Sequence, residues 1–587
     1  MPRQVARALG RVGLYRPLAR LRRRWLDPER RWKDREIRQD LRRTRAQVRG
    51  WGRRGGERAV PAGSAGLIGI LSFTNLPLHA KFQALVAKTA QLQGLTPVAL
   101  NASGNRFAHQ YFRLFGVDRM AMWDQLVREL APPLQEVAAV VDGMLPARPT
   151  VRGLMQQTYQ GVDVGKHALS MTCRRRLEGR LDLRDPATLE LLRGFLADAV
   201  RNTVVAERFL DRFPMQKMLV RDAGYNPNGQ IYEAALARGV DCFVYEQGQR
   251  RGTWVLKRYT PQTKGEHYFS LSDRTWERVL GWPWTEQHEA LLEREFANRY
   301  LPDSTDDTRR LMTGKREASP DEVRAALGLD PGKKTAVIFS HMAWDAAFFF
   351  GTQLYEDFET WLFETVKFVA AECPDLNWIV KLHPFNVFKL QREGVEDPEE
   401  SEMALLRRLM PLPDHVRIMR ADTPISTRSL FPLVDYVLTV NGTVGMEFPC
   451  FGVPAVVAGT GRYSGRGFTV DPSSRQEYLA ILRRLHEVPA LSDAVRVLAR
   501  RHFLALMMGR QVDFDPVAPM ELKRINEAQS DVHDNIGFRA RSLEEFAASP
   551  PIRLLSEWME DGTDPDLMQP LPVPAAEALE AVEVERR

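Results

Sequence analysis

Four strand-length apolar segments in the second half of the sequence are each followed by polar residues that could bind a nucleotide or a phosphate. In chain order these residues are Ser340 and His341, then Lys381 and His383, then Asn441, Gly442, Thr443, Gly445 and Glu447, and finally Gly459, Arg462, Tyr463 and Ser464. Ligands of open α/β sheets bind beyond the carboxyl ends of the strands. The pattern therefore predicts a ligand site where these four strand ends meet.

The segment VNGTVGMEFPC places one acid, Glu447, in a short helix of otherwise apolar composition. Thr443 and Glu447 are four residues apart and should share a helix face, where the carboxylate could bind ribose hydroxyls and Thr443 a phosphate. Asn441 is a predicted N-cap, and Gly442 and Gly445 would let a phosphate approach the helix start. The alternative explanation is a surface glutamate favourably placed near a helix N-terminus.

Lys381 and His383 end the apolar segment NWIVKLHP. Residues two apart in a strand point to the same side, so the ammonium and the imidazole should face one ligand. His383 could donate a hydrogen bond to a leaving phosphate. The alternative is that His383 only caps a loop and that Lys381 is solvated.

Strand-like and helical patterns alternate along most of the chain, which is typical of parallel sheets with crossover helices. The strand-like segments are 66–73, 96–100, 217–222, 241–247 and 254–259 in the first half and 333–340, 377–384, 415–420, 435–441 and 454–459 in the second. We predict an α/β fold with two Rossmann-like domains that face a cleft. The predicted boundaries are 1–60 for a basic N-terminal arm, 61–315 and 316–480 for the two domains, 481–560 for C-terminal helices and 561–587 for a disordered acidic tail.

The first predicted domain also ends two strands in acids, Asp222 and Glu246. Either could deprotonate an acceptor hydroxyl across the cleft, and Asp222 is slightly preferred. Gln247, Arg250 and Arg251 follow and are candidate acceptor ligands. Capping of the strand ends is the alternative role for the two acids.

Composition excludes several classes of protein. Of the 587 residues, 44% are hydrophobic and 27% charged, the mixture of a globular enzyme, and no apolar run is long enough to span a membrane. No signal peptide is expected. The four cysteines are widely separated, which favours a reducing compartment and buried thiols over disulfides or a zinc site. The expected location is the cytoplasm, with attachment to the inner membrane surface as an option.

The positive charge is concentrated at the N-terminus. Residues 1–58 contain 20 Lys and Arg but 6 Asp and Glu, so the rest of the chain is net negative although the whole carries +7. Arginines mixed with Leu, Val, Tyr and Trp could bind an anionic membrane surface. A nucleic acid partner is not expected, and a solvated arm without a partner is the alternative.

Three segments together resemble the bacterial capsule polysaccharide biosynthesis family, which includes Kdo transferases. They are KLHPF, VNGTVGMEFPCFGVPAVV and GRYSGRGFTVDPSSRQEYL, and DAGYNPNGQIYEAALARGVDCFVYEQGQRRGT is similar to the N-terminal half of the family. The likeness runs from about Lys217 to Leu482. It implies a two-domain glycosyltransferase of GT-B architecture, with His383 at the donor phosphate and Thr443, Gly445 and Glu447 at the nucleotide. Relatives tend to have Asn-His-Gly where this chain has Asp222-Ala223-Gly224, which removes a histidine.

These observations predict transfer of a sugar from a nucleotide-activated donor, including CMP-linked donors, to a capsule or other surface polysaccharide or a glycolipid. Lys381 and His383 would stabilise the leaving nucleotide, and no metal or other cofactor is expected. The acid pairs at 306–307 and 564–566 lie in stretches predicted to be mobile. Two alternatives stay open: a phosphotransferase that uses a CDP-linked polyol, and a non-catalytic scaffold of a polysaccharide assembly.

Overall fold

The computed structural model describes residues 28–51, 65–74, 76–300, 314–342, 348–384, 401–524 and 532–571. Two sheets form its centre, one wholly parallel and one mostly parallel, which confirms the prediction of two Rossmann-like domains. Each sheet has helices on both faces, and its strands are apolar because both faces are buried.

The first domain contains six strands and most of the helices of the N-terminal half. The strands are β1 (Gly66–Leu71), β2 (Leu95–Asn101), β3 (Met120–Met122), β4 (Met215–Val220), β5 (Asp241–Gln247) and β6 (Thr253–Tyr259). The helices are α1 (Pro28–Gln47), α2 (Pro77–Leu92), α3 (Arg106–Leu114), α4 (Trp123–Leu130), α5 (Leu134–Met144), α6 (Val151–Met155), α7 (Val164–Arg176), α8 (Pro186–Arg212) and α9 (Asn228–Ala237).

Two further helices, α10 (Asp273–Leu280) and α11 (Glu286–Tyr300), follow β6 but pack in the core of the second domain. Phe296 of α11 stacks on Phe503 at 4.4 Å between ring centroids. The structure therefore differs from the predicted domain boundary at 315, because Phe296 of α11 packs on Phe431, Phe451 and Phe503 of the second half of the chain.

The second domain is a five-stranded parallel sheet in the order β11-β10-β7-β8-β9. Its strands are β7 (Thr335–Phe339), β8 (Asn377–Lys381), β9 (Val416–Met419), β10 (Tyr436–Thr439) and β11 (Ala455–Val457). Its helices are α12 (Pro320–Leu327), α13 (Phe358–Glu372), α14 (Ser401–Leu406), α15 (Val444–Glu447) and α16 (Arg475–Arg483). The strand order reverses between β7 and β10, and such a switch point opens a crevice at the carboxyl ends of the strands.

The C-terminal segment contacts both domains. It contains α17 (Asp493–Leu504), β12 (Val512–Asp513), the hairpin β13 (Met520–Arg524) and β14 (Val532–Ile536), α18 (Leu543–Ala548) and α19 (Pro550–Asp561). α17 packs on the second domain, whereas β12 pairs with β6, so the first sheet has the order β12-β6-β5-β4-β1-β2-β3. The prediction of helices alone over 481–560 is therefore wrong, because these three strands are too short or too irregular in pattern to be detected.

The predicted disordered tail is ordered over residues 561–571. Asp566 is buried, and its carboxylate lies 3.0 Å from Lys257 Nζ of β6. Leu567 is buried beside it. The prediction of disorder and mobility is therefore wrong for 561–571, because this stretch supplies the counter-ion for a buried lysine. Residues 572–587 lie outside the described part of the chain.

The predicted basic arm is partly built into the first domain. Asp40 of α1 is buried and lies 2.7 Å from Lys81 Nζ of α2. Trp51 is also buried, and its ring lies 4.5 Å from Phe546 of α18. Residues 1–27 and 52–64 are outside the described residues. None of the helices in the described ranges combines the length and the apolar composition needed to cross a membrane.

We predict that Trp51→Ala lowers the free energy of unfolding by about 3–5 kcal/mol, because it leaves a cavity among three aromatic rings. Chemical denaturation would measure the change. Arg45→Ala is the matched control, since that exposed side chain lies on the same segment and its loss should change stability by less than about 0.5 kcal/mol. Equal stability of the two variants would contradict the burial of Trp51.

Candidate active site

A pocket of about 130 Å³ lies at the carboxyl ends of β7, β8 and β10, next to the switch point of the second sheet. The end of α11 and the segment before α12 complete its wall. The lining residues are Arg299, Tyr300, Lys315, Phe339, Ser340, Lys381, Leu382, His383, Pro384, Thr427, Thr443, Val444 and Glu447. The structure therefore brings together Ser340, Lys381, His383, Thr443 and Glu447 from the predicted site.

Lys381 supplies a buried positive charge to this pocket. Its side chain is almost fully buried, and no described residue gives its ammonium a hydrogen bond or an ion pair. Burial, followed by the nearby charge of Lys315, lowers the pKa of Lys381 to about 7. A buried cation without a counter-ion is costly, so this position favours binding of an anion.

His383 presents a neutral imidazole. Burial, followed by the charge of Lys381, lowers the pKa of His383 to about 4. Its backbone N–H donates to Glu402 Oε1 at 3.2 Å, and Ser340 Oγ donates to the same oxygen at 2.9 Å. Glu402 of α14 thus ties the ends of β7 and β8 together and fixes the loop that carries His383.

Glu447 is buried and holds the end of α11 over the strand ends. Its Oε1 accepts from Arg299 Nε at 3.0 Å and Nη2 at 2.9 Å, and its Oε2 accepts from the Tyr300 hydroxyl. Arg299 Nη2 also lies 3.4 Å from Thr443 Oγ1. Thr443 and Glu447 therefore share a helix face as predicted, but in this structure the face meets Arg299.

Arg299 also reaches the first domain, where its Nη1 donates to Gln249 Oε1 at 2.9 Å. Gln249 lies in the turn between β5 and β6. The guanidinium thus connects the first domain, α11 and the helix after β10 in one hydrogen-bonded group.

The glycines after β10 make room for Tyr463. A Cβ on Gly445 would lie 2.1 Å from the Tyr463 hydroxyl oxygen, and that hydroxyl donates to Gly442 O at 2.7 Å. The prediction of Asn441 as N-cap is wrong, because α15 begins at Val444 and its flanking residue is Thr443. Pro449 ends α15 after one turn, and a 3₁₀ turn follows.

His341 is not among the residues that line the pocket. Its Nε2 accepts from the Val440 N–H at 2.9 Å, and its ring stacks on Phe358 at 4.7 Å. Burial lowers the pKa of His341 to about 3, so the ring is neutral. Its hydrogen bond to Val440 joins the ends of β7 and β10.

Asp222 and Glu246 lie at the ends of β4 and β5, and both form an ion pair with Arg221. Arg221 Nη2 is 3.0 Å from Glu246 Oε1, and Arg221 Nη1 is 3.4 Å from Asp222 Oδ2. Burial raises the pKa of Glu246. Gly224 follows and lies close to Phe349 of the second domain, since a Cβ there would be 2.7 Å from the Phe349 ring. These acids therefore sit near the junction of the domains but outside the Lys381 pocket.

The three predicted acceptor ligands hold neighbouring segments in place. Arg250 Nε lies 3.5 Å from Glu295 Oε2 of α11. Arg251 Nη2 donates to Met520 O at 2.9 Å, and Gln247 Nε2 lies 3.8 Å from Met520 Sδ. None of the three lines the Lys381 pocket, and their role toward an acceptor stays a prediction.

No sequence pattern predicted that four residues would belong to this site. Arg299 and Tyr300 end a helix just before a polar stretch, Lys315 follows that stretch, and Glu402 lies far from any strand end. Lys315 Nζ is held 2.9 Å from Thr423 O. Only the folded chain brings these residues to the strand ends.

The described ranges contain no group of three or more His, Cys, Asp or Glu residues that could hold a metal ion. All four cysteines are buried and unpaired, as the sequence predicted.

No protein-family model and no curated protein sequence matches this chain. Among solved structures, KpsC of Thermosulfurimonas dismutans is similar in two forms. Its beta Kdo 2,4 transferase is 16% identical over 49% of this chain and 79% of that protein, with a TM-score of 0.30. Its beta Kdo 2,7 transferase is 15% identical over 56% and 85%, with a TM-score of 0.28. A UDP-GlcNAc 2-epimerase from Neisseria meningitidis is 13% identical over 74% and 93%, with a TM-score of 0.22.

We predict that Glu447→Gln lowers the free energy of unfolding by about 3–5 kcal/mol, because it leaves the buried Arg299 guanidinium without its counter-ion. The double variant Arg299→Gln/Glu447→Gln should lose less than the sum of the two single variants. Denaturant titration would measure all three. Glu364→Gln, on the exposed face of α13, is the matched control and should be neutral. Additive losses would show that the two side chains do not interact.

Proposed function

We propose that this protein is a glycosyltransferase that uses a nucleotide-activated sugar and binds the donor phosphate in the Lys381 pocket. One observation carries the proposal: Lys381 is a buried ammonium without a counter-ion among the described residues, at a switch-point crevice. An anionic ligand would remove the cost of burying that charge. The acid among the lining residues, Glu447, already pairs with Arg299 and Tyr300.

The roles of Lys381 and His383 follow from their charge states. Glycosyl transfer requires stabilisation of the negative charge that develops on the leaving nucleotide. The ammonium of Lys381 supplies a positive charge, and the neutral imidazole of His383 supplies a hydrogen-bond donor. A preorganised donor of this kind typically contributes about 10²- to 10³-fold to kcat.

Glu447 and Arg299 have a positioning role in this proposal. Glu447 orients Arg299, and Arg299 contacts Thr443 just after the end of β10. The ribose contact that the sequence predicted for Glu447 would require the carboxylate to accept hydrogen bonds beyond those from Arg299 and Tyr300.

Asp222 and Glu246 stay the proposed bases for the acceptor hydroxyl. Burial raises the pKa of Glu246, which makes its carboxylate a stronger base, whereas Asp222 is the more exposed of the two. Both lie at the carboxyl edge of the first sheet, and Gly224, two residues after Asp222, lies close to Phe349 of the second domain. The resemblance to capsule polysaccharide enzymes supports a saccharide or glycolipid acceptor.

Product analysis distinguishes this proposal from its closest alternative. Sugar transfer releases the whole nucleotide of the donor, whereas a phosphotransferase acting on a CDP-linked polyol releases CMP and leaves a phosphate on the acceptor. A scaffold would bind a nucleotide without consuming it.

We predict that CMP, CDP, UDP or GDP raises the melting temperature of the wild type but not of Lys381→Met. Saturation at about 100 times the Kd should add roughly 2.7 kcal/mol to the wild type. The ligand-free variant should melt at the same or a higher temperature, because the substitution removes a buried charge. Lys367→Met, on the exposed face of α13, is the control and should respond like the wild type. If no nucleotide stabilises the wild type, the proposed function is wrong.

The same lysine should make nucleotide binding depend on pH. The pKa of Lys381 is about 7, so its positive charge is lost as the pH rises above 7. Affinity should fall by up to about tenfold between pH 7.5 and 8.5, a range in which the phosphate is already ionised. Titration calorimetry would measure the trend. Lys381→Met should abolish it, and an unchanged slope in that variant would assign the effect to another group.

The unfolded state keeps the ordinary, higher lysine pKa, so it binds more protons than the folded state above pH 7. The Lys381 contribution to the stability of the ligand-free protein should therefore rise with pH above 7. Subtracting the pH profile of Lys381→Met from that of the wild type isolates this contribution. No upward trend in the difference would contradict the lowered pKa.

We also propose that the basic arm meets an anionic membrane surface. Removal of residues 1–58 is a poor test, because Asp40 and Trp51 are buried in the first domain. Removal of residues 1–27 leaves those contacts and should reduce co-sedimentation with vesicles rich in anionic lipid but not with neutral vesicles. Unchanged binding to anionic vesicles would overturn the membrane proposal.

A further inference from the structure

Arg462 and His267 face each other where the segment after β11 meets the segment after β6. Arg462 Nη2 lies 3.4 Å from His267 Nε2. Phe350, from the loop after β7, packs on the His267 ring at 4.7 Å. The backbone N–H of Gly351 donates to Gly265 O at 2.9 Å and fixes this loop against the first domain. The pair therefore lies in the contact between the two domains.

The facing nitrogens are both hydrogen-bond donors. His267 Nδ1 accepts from the Phe269 N–H at 3.0 Å, so the proton of a neutral ring must be on Nε2. Burial, with the charges of Arg462 and Lys257, holds the pKa of His267 well below its usual range, so the ring is neutral. An Nε2–H therefore points at an Arg462 N–H, and an acceptor between them would satisfy both.

Arg462 has no anionic partner in the described part of the chain. Its Nε is buried and makes no hydrogen bond, and no carboxylate there lies within ion-pair distance. Nε and Nη2 form the edge of a guanidinium that binds two oxygens of a carboxylate or a phosphate. Arg466, four residues later, is by contrast paired with Asp273 at 2.7 Å.

The unpaired edge lies near the Lys381 pocket. Arg462 is close enough to Arg299 and Glu447, which line that pocket, for their charges to act on it. Arg462 follows β11 and Lys381 ends β8, and β10 and β7 lie between these two strands. Three spacings between neighbouring strands separate β11 from β8, a distance of about 14 Å. Two charged groups of one substrate could reach both positions.

We propose that Arg462 and His267 bind a second oxyanion of the substrate, separate from the phosphate at Lys381. This inference rests on the proposed function and specifies a substrate with two separate oxyanionic groups. The second group is either a further phosphate or the carboxylate of an acidic sugar, because both present paired oxygens to the Arg462 edge.

Titration calorimetry on the full chain tests the proposal with two sets of three probes. Each set contains a nucleoside monophosphate, a nucleoside diphosphate and a nucleotide-linked acidic sugar. The sets are CMP, CDP and CMP-N-acetylneuraminate, and UMP, UDP and UDP-glucuronate. Arg462→Gln should weaken binding of a probe that carries a second oxyanionic group by about 10- to 100-fold. The affinity for the monophosphate should stay unchanged. A loss with CDP or UDP identifies a phosphate. A loss confined to the acidic sugar identifies a carboxylate. His267→Leu should give a smaller loss with the same probe.

Arg466→Gln is the matched control, because it removes the same charge from the same loop and should leave all affinities unchanged. Equal weakening of every probe by Arg462→Gln, or no weakening of any, overturns the inference while the Lys381 result still supports the proposed function. If neither probe set binds the wild type, the proposed function and this inference both fail. Should Arg462→Gln not fold, His267→Leu decides by the same comparison.

Discussion

The ion pair between Arg299 and Glu447 is the contact on which the candidate site depends. A buried carboxylate without a partner would be strongly destabilising, so the end of α11 is held where Arg299 and Tyr300 can bind it. That position makes α11 one wall of the pocket and brings Gln249 of the first domain to the same guanidinium. The acid therefore helps to set the shape of the pocket that it lines.

Pairing of this acid leaves the pocket with an excess of positive charge. Lys381 lacks a counter-ion among the described residues, and Arg462 lacks one at the neighbouring domain contact. Buried cations of this kind reduce the stability of the ligand-free protein. Such a cost is typical of sites built to bind an anion, because the ligand supplies the missing charge.

The two ends of the described chain stabilise the first domain together. α1 contributes Asp40 to a buried group with Lys81, whose ammonium also donates to Asn535 Oδ1 at 3.1 Å. Asp566 pairs with Lys257 on the other side of the same sheet. Segments from both ends of the described chain thus pack against the first domain. The second domain, by contrast, is built largely from one continuous stretch.

Local sequence determined every strand of the second sheet and most of those of the first, where the three-residue β3 escaped prediction. It also gave the positions of Lys381 and His383 at the end of one strand, because apolar runs and polar strand ends are local patterns. It also placed Thr443 and Glu447 on one helix face, which the helical period dictates. It could not determine the partner of Glu447, since Arg299 is 148 residues away and only packing of α11 brings it there. The short strand β12 and the ordered stretch 561–571 also escaped prediction, because their structure comes from β6 and Lys257 rather than from their own composition. Tertiary structure alone decided which charges are neutralised and which, like those of Lys381 and Arg462, have no counter-ion among the described residues.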